Sequence, residues 1–186
     1  LIKNYWPGIF NMVISDKKSN YFTNDGYFRL HDVGYFDNDG FLYIGGRSDD
    51  VINVSGHRIS TSEIESICLG LDLIKEACAV SASDKLSGEK IVLFFTPVQN
   101  DFDIKLIIKE LQKKIQSKLS PYHLPSRFEY FSELPKTQSG KIMRRIMRDL
   151  AEKNFFNENL DYSTLANKES FVKSKDIFIN SKIIQD

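Results

Sequence analysis

The sequence predicts an α+β fold: a small domain with a hairpin and a three-stranded sheet covered by helices, preceded by a β fragment of a neighbouring domain. Three observations carry this. After residue 50 the hydrophobic pattern switches between strand and helix periods in the order hairpin, helix, strand, strand, helix, strand, loop, helix. Hydrophobic residues make up 41% and aromatic residues 12% of the 186, enough to form a packed core. Between the two parts, Gly45-Gly46-Arg47-Ser48-Asp49-Asp50 offers backbone freedom and nothing for a core, which marks a boundary or hinge at residues 47–50.

Residues 1–46 are rich in aromatics and turn signals: Trp6-Pro7-Gly8, Asn24-Asp25-Gly26 and Asp37-Asn38-Asp39-Gly40. The last of these sits between Tyr35-Phe36 and Phe41-Leu42-Tyr43-Ile44, a hairpin signal. This part is too short and too poor in aliphatic residues to stand as a domain.

Beyond the hinge, residues 51–54 and 57–60 flank Ser55-Gly56 and predict a second tight hairpin. Ser60-Thr61-Ser62-Glu63 matches a capping box, and Ile64, Ile67, Cys68 and Leu71 follow at helical spacing. Residues 76–82 and 90–97 are apolar runs of strand length separated by a polar loop with Gly88. Asp103 can cap a helix whose Ile104, Ile107, Ile108, Leu111, Ile115 and Leu119 form one stripe, stopped by Ser120-Pro121. Residues 127–131 suit a third strand, and residues 142–153 a closing helix with Ile142, Ile146 and Leu150 inward, which ends a domain of residues 51–153. Residues 154–186, rich in Asn, Lys and Ser with no sustained period, read as an extended tail.

Charge and composition exclude several classes. Lys+Arg and Asp+Glu are 25 each, so there is no global basic field to gather nucleic acid or an anionic membrane, and any anion is met locally. No apolar run approaches the roughly 20 residues of a membrane span, and no signal pattern opens the chain, so a cytoplasmic protein is expected. Cys68 and Cys78 sit in apolar settings as small buried hydrophobes, which fits a reducing compartment. No metal site is expected: His31, His57 and His123 are isolated, and neither cysteine pairs with a histidine at zinc spacing. The chain opens on Leu1 and runs directly into Trp6-Pro7-Gly8, and is expected to be part of something longer.

The chemistry centres on Lys141. It follows Pro135-Lys136-Thr137-Gln138-Ser139-Gly140, a turn in which Gly140 relaxes the backbone and the hydroxyls of Thr137 and Ser139 bond locally, so an ammonium is held out to meet an anion. A point charge with three donors suits a phosphate and a carboxylate that react with each other. A solvated lysine, or a nucleic-acid patch of Lys141, Arg144, Arg145 and Arg148, are the competing readings. Asp32, beside Gly34, is placed to accept from vicinal ribose hydroxyls, and Arg47 is a candidate nucleotide contact. Asp49 is the candidate hinge, because a boundary residue absorbs the φ/ψ change when domains rotate. Ser55-Gly56 lets a ligand approach the backbone, and Arg58 can fork onto phosphate.

Residues 45–65 together with residues 134–145 closely resemble the carboxyl-terminal part of the adenylate-forming enzymes, and among these they are most similar to the short-chain acyl-CoA synthetases of the acetyl-CoA and propionyl-CoA kind. The phrase Asp161-Tyr162-Ser163-Thr164-Leu165-Ala166-Asn167-Lys168 is also similar to how those proteins end. The resemblance implies that residues 1–46 end a large adenylation domain, which would hold the phosphate loop and the acyl pocket. It implies a carboxylate attacking the α-phosphate of ATP, accompanied by Mg2+, to give an acyl-adenylate and pyrophosphate, then rotation of the small domain and attack by coenzyme A. It assigns Asp32 to the ribose, Arg47 to the same nucleotide, Asp49 to the hinge, Ser55 and Gly56 to the pantetheine passage, Arg58 to phosphate and Lys141 to adenylation. Acetylation of Lys141 by a lysine acetyltransferase, reversed by a deacetylase, would switch it off. Where the family commonly has Gly-Asp at the ribose contact, this chain has His31-Asp32, and where relatives carry an arginine for the coenzyme A phosphate it has Gln116 between Lys114 and Lys118. Acetate or propionate, or a binding module without catalysis, remain alternatives.

Overall fold

A computed structural model describes residues 22–25, 27–48, 50–99, 101–152 and 164–183. The chain divides into two compact units, residues 1–49 and 50–186.

The first unit contains one hairpin. Strand β1 (Asp32–Phe36) pairs antiparallel with β2 (Leu42–Arg47), and their register sets Asp32 opposite Arg47. The Asp37–Gly40 turn forms as its residues dictate: Asp37 Oδ1 accepts from the Asp39 and Phe41 N–H groups at 3.0 and 2.9 Å. Trp6-Pro7-Gly8 and Gly26 lie outside the described residues.

The second unit is a sheet clad with helices on both faces. Strands β3 (Val51–Val54) and β4 (His57–Ser60) form the expected hairpin over a turn with Ser55 at φ 50° and Gly56 at φ 87°. Helix α1 (Thr61–Leu69) follows, then β5 (Ile74–Asp84) and β6 (Gly88–Pro97), antiparallel over their whole length. After α2 (Ile104–Lys118) and a 3-10 turn at Pro121–His123, β7 (Arg127–Tyr130) adds parallel to β6. Helices α3 (Arg144–Ala151) and α4 (Lys168–Ile183) complete it.

The hairpin is not separate from β5, β6 and β7. A Val54–Gly88 pair, with Ser55 N–H donating to Ser87 O at 2.9 Å, joins all five in one sheet of order β4-β3-β6-β5, with β7 beside β6. The sheet divides the core into two layers. Cys78, Val80, Ala82, Val92 and Phe94 pack on one side with Ile146, Met147, Leu150, Phe171 and Phe178. Ala77, Ala79, Ile91, Leu93 and Phe95 pack on the other with Ile64, Cys68, Ile107, Leu111 and Ile115. Burial of both faces explains why residues 76–82 and 90–97 read as continuous apolar runs rather than alternating ones.

Several expectations are corrected. The tail is not simply extended: α4 forms, and buried Phe171, Ser174 and Phe178 give it an i, i+3, i+7 stripe. Its pattern is diluted because the central position is a serine, whose hydroxyl meets the Ser132 N–H at 3.2 Å and the Ser132 hydroxyl at 3.0 Å. The capping box does not close: the Ser60 hydroxyl bonds that of Ser62 at 2.7 Å, and Glu63 lies 3.6 Å from His123 Nε2. Ile104 is 39% exposed and leaves the α2 stripe to Ile107, Leu111 and Ile115. Asp103 caps α2 as read, accepting from Lys105 and Leu106 N–H. The closing helix starts at Arg144, because Ile142 is engaged in a bridge to Lys136. No helix among the described residues is long and apolar enough to cross a membrane.

Candidate functional site

Lys141 closes a tight turn of residues 138–140, directly across from Thr137. Thr137 N–H donates to Lys141 O at 2.9 Å, Gly140 N–H donates to Thr137 O at 2.9 Å, and Lys141 N–H donates to the Thr137 hydroxyl at 3.2 Å. The Thr137 and Ser139 hydroxyls are 3.0 Å apart. Gly140 takes φ 80°, a conformation in which any Cβ is strained, so the glycine is what allows the turn. Lys141 itself is exposed. The backbone is therefore bonded at both ends while the side chain projects outward.

The base of this turn is unusually well tied. Lys136 bridges Ile142, and Met143 N–H donates to Pro135 O at 2.8 Å. On the opposite side Thr137 bridges Leu165, and Ala166 N–H donates to Lys136 O at 2.8 Å. Residues 134–137 are thus the middle of a three-stranded patch. The Lys136 ammonium also pairs with Glu76 on β5.

Immediately behind Lys141, α3 carries the basic residues that the sequence left open as a nucleic-acid patch. Two of them turn inward. Arg144 forks onto Glu65 of α1 at 2.5 and 2.6 Å, donates to Ala79 O at 3.1 Å, and sits 3.4 Å from Asp50. Arg148 donates to Asp50 at 2.7 Å. Glu65 also accepts from Ala79 N–H at 2.7 Å, so both backbone groups of Ala79 on the outer edge of β5 are satisfied by side chains. Burial works against the Arg144 charge, yet the Glu65 hydrogen bonds and the surrounding negative charge outweigh it and raise its pKa above the ordinary arginine value. Asp50, the first residue of the second unit, is thereby tied to the helix that follows Lys141. Sequence reading missed Asp50, Glu65 and Arg144 because their meeting joins positions far apart in the chain.

The remaining candidates are placed as follows. Ser55 and Gly56 form an exposed turn, and Arg58 is exposed on β4 opposite Asn53. Beside them, the His57 ring stacks on Tyr122 with centroids 3.8 Å apart. Gln116 is exposed on α2. In the first unit, the structure brings Asp32 and Arg47 together across the hairpin, with Arg47 Nη1 3.9 Å from Asp32 Oδ1. Asp32 lines a cleft of about 600 Å3 with Arg29, His31 and Ser48. His31 takes φ 60°, and its carbonyl accepts from the Ser48 N–H at 2.7 Å, which fixes the backbone next to Asp32. Asp49, the candidate hinge, lies outside the described residues. Among the described residues no group of three or more His, Cys, Asp or Glu could hold a metal ion.

Cys68 and Cys78 take no part in this chemistry. Both are free and fully buried, and burial, with the Glu65 charge adding to it, pushes both thiols up to about 12.

Comparison with known proteins points in one direction. The family model of the AMP-binding enzyme C-terminal domain matches residues 63–141. Acetyl-coenzyme A synthetase of Sinorhizobium fredii is 37% identical over 176 residues, covering 89% of this chain and 26% of the relative. That of Drosophila melanogaster is 38% identical over 170 residues, covering 88% and 25%. The chain therefore spans about a quarter of the length of these relatives. Among solved structures, the anthranilate CoA ligase AuaEII in complex with anthranoyl-AMP superposes with a TM-score of 0.67 at 26% identity, over 76% of this chain and 27% of that one. The o-succinylbenzoate CoA synthetase MenE of Bacillus subtilis, in complex with the acyl-adenylate OSB-AMP, gives 0.62 at 29% identity over 72% and 27%.

Proposed function

We propose, from the match of residues 63–141 to the family model of the AMP-binding enzyme C-terminal domain, that this chain is the mobile carboxyl-terminal part of an ATP-dependent short-chain acyl-CoA synthetase. Acetate is the favoured acid, since the relatives above are acetyl-coenzyme A synthetases; propionate is the neighbouring choice. Residues 1–46 would close the large adenylation domain, and the 186 residues alone would not turn over.

In the first half-reaction a carboxylate oxygen attacks the α-phosphorus of ATP, the bond to the bridging oxygen breaks, and pyrophosphate leaves with the Mg2+ that accompanies ATP as substrate. Two anions must meet, and Lys141 places a positive charge between them as charge develops. Asp32 accepts hydrogen bonds from the ribose hydroxyls, with Arg47 supporting the same nucleotide. In the second half-reaction the thiol sulfur of coenzyme A attacks the acyl carbon, AMP leaves, and the thiol proton passes to solvent. This step needs Lys141 withdrawn, so rotation at Asp49 exchanges it for Ser55, Gly56 and Arg58 along the pantetheine path.

The observation that carries this reading is Lys141: an exposed ammonium on a turn whose backbone is bonded at both ends. A stand-alone binding module would have no use for that arrangement together with the paired Asp32 and Arg47. In the complete protein, Lys141→Ala is expected to lower acetate-dependent ATP–pyrophosphate exchange by about 100-fold or more while sparing acetyl-CoA formation from supplied acetyl-adenylate. Unchanged exchange rejects the reading. The exposed ammonium is also open to a lysine acetyltransferase and deacetylase, and acetylation would remove its charge and the exchange activity with it.

A further inference from the structure

The adenylation reading leaves unexplained why a segment near the end of the chain reaches the Lys141 turn. Asn167 does so through its side-chain amide. Its Nδ2 donates to Leu134 O at 2.8 Å, and its Oδ1 accepts from Lys136 N–H at 3.0 Å. Those two backbone groups flank Pro135, which has no N–H to offer. One carboxamide thus supplies the donor and the acceptor that a neighbouring strand would present to this edge, and the need for both fixes which way the amide points.

The contact is part of a continuous structure. Ala166 N–H donates to Lys136 O at 2.8 Å, Leu165 bridges Thr137, and the Leu165 side chain is buried with Leu134 and Ile146. The Asn167 carbonyl accepts from Phe171 N–H at 3.0 Å, which starts α4, and Phe171 is fully buried beside Phe131. The turn bearing Lys141 is therefore held on its near side by residues 142–143 and on its far side by residues 165–167, which are anchored in turn through Phe171. We propose that Leu165, Ala166 and Asn167 form a built-in clamp on the Lys141 turn, and that Asn167 is a positioning residue for adenylation, acting through the backbone of residues 134–137.

This rests on Lys141 as the adenylation lysine, and the test separates the two. Without the amide, Lys136 N–H and Leu134 O lose their partners, the far edge of the turn opens, and the ammonium spreads over more positions. In the complete protein, Asn167→Ala is expected to lower kcat of acetate-dependent ATP–pyrophosphate exchange by about tenfold, because a displacement near 1 Å is enough to cost that much. KM for ATP and acetate, and thioester formation from supplied acetyl-adenylate, should stay within about twofold, since Asn167 touches no substrate and the second step proceeds with Lys141 withdrawn. Hydrogen exchange at the Lys136 amide should quicken by about tenfold in Asn167→Ala and remain protected in Asn167→Asp, which keeps the acceptor. Asn167→Asp also stands in should the alanine variant fail to fold: it loses the bond to Leu134 O, and its exchange kcat should fall by about threefold with the thioester step unchanged.

Lys141→Ala is measured alongside. If Lys141→Ala exchanges normally, the adenylation reading fails whatever Asn167 does. If Lys141→Ala is inactive while Asn167→Ala exchanges at the normal rate, slows both half-reactions alike, or leaves the Lys136 amide protected, the clamp is overturned.

Discussion

Arg144 holds Glu65 at two points, Nη1 to Oε1 at 2.5 Å and Nη2 to Oε2 at 2.6 Å, and so joins the helix after the Lys141 turn to the helix after the β3–β4 hairpin. Glu65 is 9% exposed, so neither half of the pair can be removed cheaply. Arg144→Met leaves a nearly buried carboxylate with only the Ala79 N–H. Loss of one partner of a buried pair costs about 3–5 kcal/mol, and the partial exposure of Arg144 places it near the lower end. Glu65→Gln should cost less, because Arg144 keeps Asp50 at 3.4 Å. In urea unfolding, Glu65→Leu with Arg144→Met is expected to lose at least about 1 kcal/mol less than the sum of the single losses. Additive losses would mean the fork does not couple the helices.

Phe171 tests whether α4 belongs to the core. It is fully buried, with its ring 6.2 Å from that of Phe131, and Phe178 lies 5.1 Å from Phe131 and 6.3 Å from Phe94. Phe171→Ala is expected to cost about 3–5 kcal/mol, since it removes a full ring from a packed layer. Leu86→Ala, at a side chain 99% exposed, should change stability by no more than about 0.5 kcal/mol. Thermal or urea unfolding of the two variants distinguishes them, and a near-neutral Phe171→Ala would remove α4 from the core.

What the sequence made legible was local. Gly140 and the Ser55-Gly56 pair announce turns because glycine readily takes the positive φ such turns use, 80° at Gly140 and 87° at Gly56. Residues 76–82 and 90–97 announce buried strands because both faces are covered, so consecutive positions at their centres, Ala77–Val80 and Ile91–Phe95, are apolar. The exposed position of Lys141 was legible because its own turn presents it. What stayed hidden depended on partners distant in the chain. Ser174 looks like a break in a helical stripe until Ser132, 42 residues earlier, supplies its hydrogen bonds. Arg144 and Arg148 look like a solvated basic face until Glu65 and Asp50, 79 and 98 residues earlier, turn them inward. Asn167 looks like tail composition until Leu134 and Lys136 are beside it. No period or spacing encodes such meetings; they exist only once the sheet has brought the segments together.

Cys68 and Cys78 provide a prediction in the alkaline range, and its sign follows from burial. Each thiol ionises near 9.0 when exposed and near 12 in the folded chain, where burial penalises the thiolate. Arg144, whose Nη1 lies 3.7 Å from Cys78 Sγ, pulls that thiol the other way without overcoming burial. Between pH 9 and 12 the unfolded chain releases protons that the folded chain retains. Stability is therefore present in full below about pH 9 and falls as pH rises towards 12, by up to about 1.4 kcal/mol per pH unit for each thiol. Urea unfolding at several pH values from 8 to 11 should show this decline, and a Cys68→Ala/Cys78→Ala chain, though weaker at pH 8, should decline less steeply. Tyrosine and lysine titration is common to both chains and cancels in the difference. In the folded protein at pH 8 neither thiol should react with iodoacetamide, whereas both should react once urea unfolds the chain. Equal slopes with pH, or rapid native alkylation, would show that the layers of side chains on the two faces of β5 admit water.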